Sequence, residues 1–241
     1  MDKDMLGVIK KHHEVLISES NKEKIEEINE QFSCRYAYDA VGLEGKNKIP
    51  YEEVSRLIQT GFSSQYSERE KKEILNHYMT FKRVEEMVES NIPLTEERIK
   101  DLHEMMVHGI IDGGVYRNVN IQIMSAKHQP PDYVKVYDRM KKLFDTLDNY
   151  DDGIVKAVYA HASIAKIHPF LDGNGRLARL VMNYYLMRAH YLPISIPISK
   201  REDYIRYLES FKVDKDIEPL VSFVKELLKE RYNQNIEKLE E

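Results

Sequence analysis

Cysteine is nearly missing from this chain: Cys34 stands alone, so no internal disulfide can form, which accords with a reducing compartment. No apolar run approaches the roughly 20 residues of a membrane-spanning helix, which argues against a membrane partner. Met1-Asp2-Lys3-Asp4 lacks the basic and apolar regions of a signal peptide, and a cytoplasmic location is the expectation. A basic surplus is missing too. Lys and Arg number 36 against 41 Asp and Glu, a formal net charge of −5, which argues against nucleic acid as a dominant partner. There is no internal repeat, no low-complexity tract, no Gly/Ser linker and no Gly-Lys-Ser/Thr of a P-loop. What is present fits a soluble globule: 241 residues, 42% of them hydrophobic, with mean hydropathy −0.56, long enough for one large or two small domains.

The chemistry is concentrated in His168-Pro169-Phe170-Leu171-Asp172-Gly173-Asn174-Gly175-Arg176-Leu177-Ala178-Arg179. Gly173 and Gly175 flank Asn174, so the backbone there can take positive φ and turn its N–H groups into an anion-binding nest. Leu177, Leu180, Val181 and Tyr184 recur at helical spacing, which puts that nest at a helix N-terminus, where the dipole also favours phosphate. Arg176 and Arg179, three apart on the first turn, offer bidentate forks to phosphoryl oxygens. Asp172 is a hard oxygen donor placed to hold a Mg²⁺ that also bridges phosphate oxygens. His168 titrates near neutrality and can take a proton from an incoming hydroxyl.

Taken singly, each residue has an ordinary explanation. A lone histidine is usually packed in a core, Gly-Asn-Gly is usually a turn, and Arg-x-x-Arg is usually a solvated helix face. One phosphate site explains them jointly. Residues 173–178 also fit a dinucleotide fingerprint, but that needs a preceding strand, and Val155, Val158, Ala162 and Ala165 recur at helical spacings.

This run resembles the signature of Fic-domain proteins, His-x-Phe-x-Asp/Glu-Gly-Asn-Gly-Arg-x-x-Arg, and matches every specified position. The resemblance implies a mainly α fold, a Fic-type helical bundle with a short β-hairpin flap. It implies transfer of AMP from Mg-ATP, the co-substrate, to a Ser, Thr or Tyr hydroxyl of a target protein. His168 would be the catalytic base, with Asn174 and Arg176 also catalytic and Asp172 the Mg²⁺ ligand. Gly173, Asn174, Gly175, Arg176 and Arg179 would bind nucleotide, with Arg179 on the γ-phosphate and Tyr204 beside adenine.

Gly114-Val115-Tyr116-Arg117, then Val119, Ile121 and Ile123 alternating with polar residues, reads as a strand after a turn. In the family such a segment opens the flap, here about 117–128. Ile121, Gln122, Ile123 and Met124 would pin an extended target segment by strand addition. Upstream, Ala40-Val41-Gly42-Leu43-Glu44-Gly45 resembles the family's inhibitory motif Ser/Thr-x-x-x-Glu-Gly/Asn. Glu44 would then pair with Arg179 and compete with the γ-phosphate, while Ala40 stands where a hydroxyl is usual.

The expected organisation is an N-terminal helical region over 1–60 with the inhibitory motif at 40–45, a catalytic core over 61–225, and a charged helix over 226–241. Helix starts are expected near Pro50 and at Thr95, the latter as N-cap. The alternatives are transfer of UMP, phosphocholine or phosphate, removal of AMP with Glu44 orienting a water, and a non-catalytic nucleotide-binding regulator. Pairing into a homodimer and modification of one of the chain's own 16 tyrosines also stay open.

Overall fold

The computed structural model describes residues 5–45, 47–61, 63, 65–123 and 127–241. Ten α-helices follow one another among them. They are α1 (Met5–Glu19), α2 (Lys22–Gly42), α3 (Tyr51–Thr60), α4 (Glu68–Glu89), α5 (Glu96–Val107), α6 (Val136–Leu147), α7 (Gly153–Ile167), α8 (Asn174–Arg188), α9 (Arg201–Asp214) and α10 (Glu218–Glu240). Short 3₁₀ turns at Tyr133–Lys135 and Ile198–Lys200 lead into α6 and α9.

The helix starts are written in the sequence. Thr95 caps α5 by accepting from the Arg98 N–H, and Asn21 caps α2 through the Lys24 N–H. Asp152 accepts from the N–H groups of Ile154 and Val155 at the head of α7. Ser67 and Glu70 form a reciprocal capping box on α4, so two otherwise orphaned backbone donors are satisfied at once.

The centre of the molecule is the antiparallel pair α7 and α8, which pack along their length and are joined by the loop 168–173. Ala157, Ala160, Ala162 and Ala165 keep α7 slim, so the two backbones approach closely and both helices are buried on most sides. Leu177, Leu180, Ile164 and Val158 are fully enclosed, each stabilising the fold by about 1.5–3 kcal/mol. Around this pair lie α2, α4, α5, α6, α9 and α10, with α1 laid along α10. A smaller cluster of Cys34, Val41, Val54, Leu57 and Ile74 joins α2, α3 and α4. The core runs through all three expected regions: Phe32 and Tyr36 of α2 and Leu227, Leu228 and Tyr232 of α10 belong to the main cluster.

One expectation is overturned. No strand occurs among the described residues, and the β-hairpin flap expected at 117–128 is not formed by those of them that are described. The alternation of residues 119–123 satisfies a strand pattern, but no neighbouring strand pairs with it. Its backbone groups go to side chains instead: the Gln129 carboxamide accepts from the Ile123 N–H at 3.0 Å and donates to the Ile123 C=O at 3.2 Å. A side-chain amide thus occupies both ladder positions of that residue. Met124 lies outside the described residues.

Candidate active site

The loop between α7 and α8 is closed by its own residues. His168 terminates α7 in the left-handed region, φ 53° and ψ 62°, with its N–H on the Ile164 C=O. Asn174 then folds back: its Oδ1 accepts from the Phe170 N–H at 2.8 Å and its Nδ2 donates to the Phe170 C=O at 2.9 Å. Asn174 is fully buried. Its side chain therefore staples the loop, and its backbone N–H at the head of α8 can face an anion. Gly173 takes positive φ, 77°, as the N-cap of α8.

Gly175 does not share that conformation. It lies within α8, and a Cβ there would sit 3.0 Å from Glu44 Oε1 and 3.2 Å from Arg179 Nη1. Glycine is needed at 175 for close approach, and at 173 for backbone freedom. The expectation of positive φ at both positions is corrected accordingly.

Two residues from outside the motif hold the loop. His103 of α5 stacks on Phe170 with centroids 3.7 Å apart and planes within 8°. Its Nδ1 accepts from the Gly114 N–H at 3.1 Å, so the ring proton belongs on Nε2, which lies 3.0 Å from the Asp172 C=O. Burial lowers the pKa of His103, in keeping with that neutral form. Arg117, also buried, donates from Nε to the His168 C=O at 2.9 Å and from its other nitrogens to Val119 and Pro131. Its backbone N–H goes to the Pro169 C=O. One arginine thus ties the 115–131 segment to the start of the motif.

His168 is half-buried, and its pKa falls to about 4, first through burial and then through the positive charge of Lys212. The imidazole is therefore neutral at pH 7 and has a lone pair to offer. Asp172 Oδ1 accepts from the Gly173 N–H at 2.7 Å. The carboxylate lines a remnant space of about 10 Å³ with Val41, Glu44, Glu73 and Arg176. A carboxylate fixed beside the α8 N-terminus suits Mg²⁺, which is commonly held by one or two carboxylates and substrate phosphates. No group of three or more His, Cys, Asp or Glu forms a metal cage among the described residues.

Glu44 closes the site. Its Oε1 lies 3.2 Å from Arg179 Nη2, and the same nitrogen donates to the Ala40 C=O at 2.7 Å. Residues 135 apart in sequence meet over Gly175 because α2 crosses the N-terminal end of α8. Arg179 is 4% exposed, so its charge is desolvated and strongly dependent on these acceptors. Arg176 is equally buried, and its Nε and Nη1 have no hydrogen-bond partner among the described residues.

The side chain of Ala40 is buried and makes no hydrogen bond, so α2 is fixed by its neighbours. Asp39 accepts from Ser195 Oγ at 2.8 Å and Arg35 Nε at 3.1 Å. Arg201 Nε donates to the Leu43 C=O at 2.9 Å. Gly42 leaves room for Ile198, whose Cδ1 would be 2.4 Å from a Cβ there.

Tyr204, expected beside adenine, is buried next to Arg179. It lies in the interior, its hydroxyl 2.9 Å from His161 Nε2 and its ring stacked on that histidine. The phenol presents its dipole to Arg179, which opposes the burial that otherwise pushes the Tyr204 pKa up. Ile121 and Ile123 are half-buried and Gln122 is exposed, on the side where Gln129 meets the backbone. His103, His161, Arg117 and Arg201 carry the site from below. Only Arg117, in its Gly-x-Tyr-Arg context, had drawn notice in the sequence. The others lie in helices whose periodicity marks burial and not role.

Comparison with known proteins agrees with this geometry. Residues 93–186 match the Fic/DOC family. The protein adenylyltransferase Fic of Drosophila persimilis is 30% identical over 197 residues, which cover 79% of this chain and 38% of that protein. The Drosophila melanogaster protein of the same name is 30% identical over the same share of this chain, 39% of its own length. This chain therefore spans about two fifths of the curated relatives it matches. In solved structures, a Fic-domain-containing signaling protein from Bacteroides thetaiotaomicron superposes with TM-score 0.89 at 22% identity, covering 98% of this chain and 97% of that one. Fic-1 from C. elegans follows with TM-score 0.83 at 21% identity, covering 98% and 72%. The chain carries a Fic/DOC-family domain, and the His168–Arg179 loop lies within it.

Proposed function

We propose that this chain is a protein adenylyltransferase that moves AMP from ATP to a hydroxyl side chain of a protein, and that Glu44 holds it inactive. The observation that carries the reading is the Arg179–Glu44 pair, which places a carboxylate where a phosphate-binding arginine is needed, beside a neutral His168. The curated relatives named protein adenylyltransferase support the choice of nucleotide.

In this reading, the α8 N-terminus with the Gly173–Gly175 backbone, Arg176 and Arg179 grips the triphosphate. The γ-phosphate takes the place of Glu44 on Arg179. His168 accepts the proton of the incoming hydroxyl while its oxygen bonds to the α-phosphorus and the bond to the β-phosphate oxygen breaks, releasing pyrophosphate. Asp172 would hold Mg²⁺, which neutralises charge on the phosphate oxygens. His103 and Arg117 act as positioning residues: they fix the loop that presents His168 and Asp172. Tyr204 and His161 orient Arg179 from beneath.

The target binds, in this reading, beside residues 121–123, where strand addition requires the Gln129 carboxamide to give up the Ile123 N–H and C=O. A Mg-ATP incubation of the wild type and Glu44→Gly, followed by intact-mass measurement, tests the reading. Expected is a gain of one AMP per acceptor, on an added protein or on the chain itself, faster in Glu44→Gly. Equal labelling and equal ATP affinity in the two forms would end the autoinhibition claim, and an adduct of another mass would replace AMP with another group.

A further inference from the structure

A cavity of about 280 Å³ opens between α2 and α10. Its charges are unevenly partnered. Of the two carboxylates on its wall, Asp39 accepts from Ser195 and from Arg35, a third cation of the wall, through Oδ2 while its buried Oδ1 finds no hydrogen bond among the described residues, and Glu230 receives both of its bonds from Lys200. Arg231 and Lys238, on the same wall, pair with no carboxylate among the described residues.

Arg231 is 8% exposed, and only its Nη1 is engaged, on Asn235 Oδ1 at 2.8 Å. Phe32 covers one face of its guanidinium, 4.2 Å from the ring centroid. That contact uses the π face and leaves in-plane donors unused, including a buried Nε with no partner. Lys238 donates to Gln31 Oε1 at 2.6 Å. Burial and then Arg231 lower its pKa, while the carboxylates of Glu241 and Glu27 oppose this to a smaller extent. Two cations that repel one another across a partly enclosed space are costly unless an anion joins them.

We propose that this α2–α10 cavity binds a small phosphate-type oxyanion, with Arg231 and Lys238 as its charged ligands. Arginine with in-plane donors and a lysine as point charge form the usual donor set for such a group. The exposed Gln234 carboxamide on the cavity wall adds a neutral donor. The volume exceeds that of one oxyanion and admits a small organic body attached to it. Because Asp39 and Ser195 line the same space, an occupant packs directly against the bond that fixes α2.

Isothermal titration with inorganic phosphate, at constant ionic strength against a chloride control, tests the site on the full chain. The expected result is one saturable phosphate site in the wild type, retained in Arg176→Gln, which disables the loop nest. Lys238→Gln, at a half-exposed position, should weaken it about tenfold or more, and so should Arg231→Gln if circular dichroism shows it folded. Hydrogen exchange of α2 should slow when phosphate is present in the wild type and not in Lys238→Gln. Absence of saturable binding, loss of binding in Arg176→Gln, or wild-type affinity in Lys238→Gln each overturns the proposal.

Discussion

The loop 168–179 and the segment 115–131 lie against each other, yet they are held by opposite means. In the first, bonds between near neighbours close the chain on itself: Asn174 grips Phe170, Asp172 grips Gly173, and Gly173 turns the backbone. In the second, long side chains substitute for a ladder: Arg117 spans His168, Val119 and Pro131, and Gln129 pairs with Ile123. The loop's own turn is thus closed within a dozen consecutive residues, with His103 and Arg117 bracing it from outside, whereas the segment relies on long side chains reaching across it and to His168. A loop closed by short-range bonds beside a segment with no strand pairing among its described residues accords with the proposed activity, in which a second protein must be accepted.

Four substitutions or conditions separate these regions. The largest effect is expected for His168→Ala in a Glu44→Gly background, which should lower AMP labelling by about 10²–10⁴-fold without changing ATP affinity. Tagged-ATP labelling and a binding titration read the two quantities separately. Next, Asn174→Ala strands the buried N–H and C=O of Phe170 and should cost about 2–4 kcal/mol, measured by urea unfolding. Gln129→Ala should cost less than about 1 kcal/mol, because its partners on Ile123 are exposed and water replaces the amide. If Gln129→Ala destabilised the chain as much as Asn174→Ala, the contrast between the two regions would be wrong.

The smallest change concerns pH. His168 has a folded pKa of about 4, below its usual 6.5. It therefore stays neutral as pH falls from 8 to 6, and labelling by Glu44→Gly should not show the decline an ordinary histidine base would produce. Removing Glu44 reinforces this, since that carboxylate raises the His168 pKa. For stability the sign is the same as for His161, depressed to about 3. Between the unfolded and folded pKa values the unfolded chain binds more protons. Stability is thus complete above about pH 6.5 and lost as pH falls toward 4 and below, which acid denaturation followed by circular dichroism would show.

Helices were legible where caps and periodicity agreed, as at Thr95 and along Leu177 to Tyr184. The capping box Ser67-x-x-Glu70 was an equally good signal for α4. The flap failed because alternation records which residues could face a core and carries no information about a pairing partner. Tyr204 was ambiguous for a related reason: an aromatic residue on a helix fits a ligand wall and a packed core equally well until the neighbours are known. His103 is the most consequential residue without a local signal. It sits in an ordinary helix, and its importance comes from Gly114 and Asp172, 11 and 69 residues away.

The sequence by itself supplied the groups on which the proposed chemistry of the loop rests, a histidine, a carboxylate, a glycine-framed turn and two arginines, because they fall within a few consecutive residues. It also named Glu44 as the partner of Arg179, through resemblance. Only the tertiary structure decided that the partnership is made, that Gly175 is small to admit it, and that Asp39, Ser195 and Arg201 hold α2 where a hydroxyl at residue 40 is missing. The reason is geometric. Contacts across 135 residues of chain depend on how α2 crosses α8, and that crossing is set by the packing of the whole core rather than by any segment of it.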